Sequence, residues 1–134
     1  MIFHSCKVLI SAFLALLLMG CATGSGTAII TGTKRAPLDP SEVKLYLEAP
    51  AIFEVIGKVD ASSDAGWTEQ ESQDYAIQEL KNQAAKLGAN GVILETTGND
   101  TYGLTMGGGY GSGYVYTVPV TAKTVSGKAI FVSE

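Results

Sequence analysis

The sequence predicts an α+β domain: a small antiparallel or mixed sheet in β-β-α-β-β order with one covering helix, placed after a lipoprotein signal peptide and a flexible tether. Three observations predict it. Stretches of alternating apolar and polar residues flank one stripe of helical period. That stripe opens on a capping sequence and closes on a glycine. The first twenty residues differ in composition from everything after them.

Those residues run from Met1 through one basic residue, Lys7, into the apolar stretch Val8 to Met19, the pattern of a secretory signal. The stretch is shorter than the ~20 residues a helix needs to cross the hydrocarbon core. It ends at Leu18-Met19-Gly20-Cys21, which resembles the lipobox of bacterial lipoproteins. The resemblance implies cleavage before Cys21, a diacylglyceryl group on its thiol and acylation of the new amino terminus. Each buried methylene contributes about 0.8 kcal/mol, so two or three acyl chains anchor durably. The expected organisation is a signal peptide over 1–20, lipidated Cys21 with a tether over 21–42, and an α+β domain over 43–134.

From Ala22 to about Ser41 the chain is rich in Gly, Ser, Thr and Pro, and a coil of ~20 such residues spans roughly 25 Å. Within it Ala28-Ile29-Ile30 fits a short edge strand. Val43 to Glu48 alternates as a strand with one buried face, and Ala49-Pro50-Ala51 interrupts it. Alternation resumes over Phe53 to Ala61, with Phe53, Val55 and Val59 on the expected core face, until the polar cluster Ser62 to Gly66.

Thr68-Glu69-Gln70-Glu71 then reads as a capping box. Ala76, Ile77, Leu80, Ala84 and Leu87 follow as one apolar stripe, and Gly88 stands where a left-handed residue ends a helix. Ala89-Asn90-Gly91 turns the chain into an apolar strand, Val92 to Glu95. Gly98 to Tyr116 reads as a glycine loop, Tyr116 to Val125 as a strand, and Ser126-Gly127 as the turn of a closing hairpin that ends with Lys128 to Val132.

Cysteine, histidine and charge narrow the chemistry. Cys6 and the only histidine, His4, lie in the leader and Cys21 is consumed by lipid, so the mature chain has no disulfide pair and no histidine. Serine or cysteine catalysis generally needs a base, and histidine is the usual one. Zinc and most transition-metal sites rely on His and Cys ligands. No cofactor is therefore expected. Of nine basic and thirteen acidic residues only Lys7 lies in the leader, so the formal charge of −4 becomes −5 on processing. That balance argues against nucleic acid as a partner and against polybasic adhesion to anionic lipid.

Phe53-Glu54-Val55-Ile56-Gly57-Lys58-Val59, Ala84 to Leu94 and Ser126-Gly127-Lys128-Ala129-Ile130 together resemble the RcsF/YbjQ-like family of small Gram-negative envelope lipoproteins. These motifs are structural, so the resemblance implies a fold and an envelope location rather than an activity. Disulfides brace the RcsF domain, and this mature chain has no cysteine pair to form one.

Two features are candidates for binding. Tyr102, Tyr110, Tyr114 and Tyr116, interleaved with glycine, form either a mobile loop facing water or an adaptable protein-binding surface. Trp67, the only tryptophan, either packs over the strand–helix junction or anchors a partner. Asp60, Asp64, Glu69 and Glu71 are close in sequence but lack an EF-hand spacing; they suit a polar turn and the positive end of the helix. Lys34-Arg35 reads as a solvated pair.

The expected function is a non-enzymatic binding or sensing module, lipid-anchored in the outer membrane, with the membrane and an envelope protein as partners. A structural or assembly lipoprotein of an envelope complex is the alternative. A small periplasmic hydrolase would need a base the mature chain lacks.

Overall fold

The computed structural model describes residues 24–107 and 113–133. Five strands form one mixed sheet: β1 (Ser25–Ile30), β2 (Lys44–Tyr46), β3 (Phe53–Ser63), β4 (Gly91–Gly107) and β5 (Val115–Val132). Their spatial order is β1-β3-β5-β4-β2, antiparallel throughout except for the parallel pair β2·β4. One helix, α1 (Glu69–Lys86), covers a single face, giving the expected α+β architecture.

Local chemistry fixes both ends of α1. The Thr68 hydroxyl accepts from the Glu71 amide at 3.1 Å, and the Glu71 carboxylate accepts from the amides of Thr68 and Trp67 at 3.2 and 2.8 Å. At the other end Gly88 takes φ +78°, letting its own amide reach Ala85 O and that of Ala89 reach Ala84 O. The stripe between them is core. Ala76, Leu80, Ala84 and Leu87 pack with Val59, Val92, Val125 and Ala129 of the sheet. Leu80 is fully buried, and burying such a side chain contributes ~2 kcal/mol.

Part of the segment read as tether is folded. Ser25–Ile30 pairs with β3 as the edge strand, so the expected strand at Ala28-Ile29-Ile30 begins three residues earlier. Beyond it the Arg35 and Leu38 amides donate to Leu87 O and Ala85 O, tying this segment to the end of the helix. Asp39 caps a single 3₁₀ turn (Pro40–Glu42), and its hydrogen bonds from the Ser41 hydroxyl and amide hold its carboxyl below the ordinary range. Arg35 is more than solvated. Its guanidinium pairs with Glu54 at 2.8 Å and stacks 3.9 Å from the Phe131 ring centroid. The small residues that suggested a tether instead let the chain cross closely over the sheet edge and the helix end.

Three strand expectations are corrected. β3 has an irregularity between Val55 and Gly57, so Ile56 is buried while Phe53 and Val55 are more than a third exposed. One inserted residue reverses the alternation on either side of it. Ser126-Gly127 is no turn: β5 runs straight through it as one strand. A Cβ at Gly127 would stand 2.5 Å from Ile93 O, so the glycine permits close approach of β4 where that strand is itself irregular, between Leu94 and Thr96. The third correction is the glycine loop. β4 and β5 pair without interruption from Thr96↔Ser126 to Gly107↔Val115, so most of Gly98 to Tyr116 is strand.

Candidate functional site

Beyond Ser63↔Lys123 the sheet narrows to two strands, and β4 and β5 continue alone as a ribbon. Its eight pairs, Asp100↔Ala122 to Gly107↔Val115, extend roughly 25 Å at ~3.3 Å per residue. Register sorts its side chains into two faces. Tyr102↔Val120, Leu104↔Val118 and Tyr116 share one face; Thr101↔Thr121, Gly103↔Pro119 and Thr105↔Thr117 share the other. One face is thus aromatic and aliphatic, the other mostly threonine.

The apolar face is left in water. Tyr102, Leu104 and Val118 are each about 40% exposed, Tyr116 is 56% and Tyr114 80%. From Thr101 to Ala122 the chain carries no charged residue. Contiguous apolar surface of this kind marks a site of association more often than a free surface.

The ribbon is fastened at its root. The Tyr102 hydroxyl donates to the Asp64 carboxylate on the loop between β3 and α1, and Lys123 pairs with Glu69 at 3.4 Å. The first bond raises the Tyr102 ionisation above its ordinary range, with desolvation and the Asp64 charge adding to it. On the same loop Trp67 is completely exposed. Packing over the strand–helix junction is therefore corrected: the Trp67 amide is held by Glu71 while its ring stands in solvent.

Behind the ribbon, on the sheet face opposite α1, lies a shallow groove of about 370 Å³. Cross-strand register aligns Thr27, Asp60, Ser126 and Thr96 in one row and Ser25, Ser62 and Thr124 in the next, with Asp100 at the edge. It is a hydrogen-bonding surface of hydroxyls and carboxylates. The four acids close in sequence are parted by the fold: Asp60 lines this groove, Asp64 accepts from Tyr102, Glu69 pairs with Lys123 and Glu71 caps the helix. Among the described residues no group of three or more His, Cys, Asp or Glu could hold a metal ion.

No family model matches the chain, and no curated protein matches it. The crystal structure of a Francisella virulence factor, FvfA, is similar to it, with 19% identity and a TM-score of 0.47, over 78% of this chain and 96% of that one.

Of the candidate residues, the structure brings Tyr102 and the Trp67 loop together at the ribbon root and sets Tyr114 and Tyr116 near its far end. Cys21 and Tyr110 lie outside the described residues. Sequence reasoning missed Leu104, Val118 and Val120. Their signal was present as period-two alternation with Tyr102 and Tyr116, but glycines at 98, 103 and 107 gave it the composition of a loop.

Proposed function

We propose that this chain is a lipoprotein anchored in the outer membrane through Cys21, serving there as a non-enzymatic binding or sensing module whose working surface is the β4–β5 ribbon. One observation carries the reading: the ribbon stands clear of the sheet with an uncharged aromatic and aliphatic face open to water. Folding alone does not require such an arm, since the core beneath α1 is complete without it. The signal peptide, the lipobox and the likeness to envelope lipoproteins support the location. In this reading the membrane, through the lipid, and an envelope protein are the partners.

The test is metabolic labelling with a fatty acid, membrane fractionation and crosslinking in intact cells. Wild type should take the label, fractionate with the outer membrane and give crosslinks that disappear when residues 103–118 are replaced by a short turn. Cys21→Ser should lose the label. Label retained by that variant, or an unchanged crosslink profile from the shortened but folded chain, would overturn the reading.

A further inference from the structure

The lipid-bearing end of the chain and the ribbon leave the sheet on the same side. β1 starts at Ser25, opposite Ser62 of β3, whose partner on β5 is Thr124; the ribbon begins two residues away at Ala122↔Asp100. Four chain steps connect Ser25 to Cys21, at most about 14 Å when fully extended. The ribbon is roughly 25 Å long. Gly24 and Ser25 line one pocket with Tyr102 and Ala122 at the ribbon root, so a bilayer holding the lipid of Cys21 lies within about one ribbon length of that root, whichever way the domain leans.

We propose that the ribbon's occupant is the bilayer surface itself, with Tyr102, Leu104, Tyr116 and Val118 seated in the membrane interface beside the lipid anchor. This rests on the reading of Cys21 as lipidated. The residue chemistry favours that depth. Tyr and Trp concentrate where one end of the ring is apolar and the other wet. No charge from Thr101 to Ala122 opposes entry, while Asp64 and Asp100 at the root hold the sheet outside. The backbone sets the limit: beyond Asp100↔Ala122 each strand of the ribbon has one unpaired edge, and unpaired amides cannot enter the hydrocarbon core. The ribbon consequently lies along the headgroup–acyl boundary, its threonine face toward water. A mature charge of −5 makes the contact hydrophobic rather than electrostatic, so it holds at high salt and needs no anionic lipid.

Trp67 is the only tryptophan, so a Trp67→Phe/Tyr116→Trp variant carries a single reporter on the apolar face of the ribbon. The full lipidated chain is reconstituted in phosphatidylcholine vesicles, with fatty-acid label confirmed on the same sample. Emission of the tryptophan at position 116 should be blue-shifted, unchanged by molar salt, and quenched more by lipids brominated near the headgroup end of the acyl chain than near its terminus. When Leu104→Lys and Val118→Lys are added, which alter only the exposed ribbon, that quenching should fall at least about twofold. Labelled protein whose tryptophan at position 116 stays water-like and unquenched would overturn the proposal and leave the lipoprotein reading standing. So would a photocrosslinker at position 116 that captures protein and no lipid. Absence of the label would overturn the anchor, and this inference with it.

Discussion

The Tyr102 hydroxyl donates to the carboxylate of Asp64, 38 residues earlier in the chain, and so ties the ribbon to the loop that carries Trp67. The neutral phenol is the donor, so the hydrogen bond holds the tyrosine ionisation above its ordinary value. Because the folded value is raised, the bond's contribution is complete below about pH 10 and is lost as pH climbs through the raised value. Asp64→Asn should bring the Tyr102 titration back toward the ordinary range, read from its ring-carbon NMR shift. A titration indifferent to Asp64 would mean that the bond does not form in solution.

Leu80 lies at the centre of the helix stripe and is fully buried against the sheet. Leu80→Ala should destabilise the domain by about 2–5 kcal/mol in urea unfolding. Gln78→Ala, on the exposed side of the same helix, loses only a side-chain hydrogen bond to Asn82 and should cost less than about 0.5 kcal/mol. Equal small effects would show that the helix does not pack on the sheet.

Gly88 combines φ +78° with a close crossing of the Arg35–Ala36 segment: a Cβ there would stand 2.6 Å from both Ala36 O and the Arg35 carbonyl carbon. Gly88→Ala should cost roughly 1–3 kcal/mol, from left-handed strain and displacement of the segment over the helix end. Hydrogen exchange should locate the damage at the Arg35 and Leu38 amides, which bond to the helix carbonyls. Loss of stability with those amides still protected would contradict this account.

Asn90 completes the sheet where no strand remains to do so. Its side-chain amide donates to Val132 O at 2.9 Å and its carbonyl oxygen accepts from Val132 N at 2.7 Å. Asn90→Ala should fray the end of β5, cost about 1–3 kcal/mol and speed exchange of the Val132 amide. Unaltered exchange there would dismiss the pairing.

What the sequence disclosed followed from how local each signal was. The cap at Thr68 and Glu71, the stripe around Leu80 and the stop at Gly88 are separated by one or a few turns, and each is where it was expected. Signals that depend on a distant strand were misread. Ile56 adds one residue to β3, and nothing near it announces that Phe53 and Val55 will turn outward. Gly127 suggested a turn, yet its reason is Ile93 of a strand more than thirty residues away. Asn90 looked like one residue of a connection because its partner, Val132, is 42 residues on. At the candidate site tyrosine content was legible and pairing was not, and pairing is what gives the ribbon its apolar face.

The strand pairs also differ widely in how much chain each encloses. β4 and β5 adjoin in sequence, so their pairing can zip from the ribbon inward; β2·β4 must close a loop of more than forty residues, and β1·β3 one of more than twenty-five. Local pairings form before those that enclose long loops. The hairpin and the β1·β3 pair are therefore the early units, and β3·β5, which encloses close to sixty residues between Ser63 and Lys123, joins them. The seam between β3 and β5 closes after the strands on either side of it have paired.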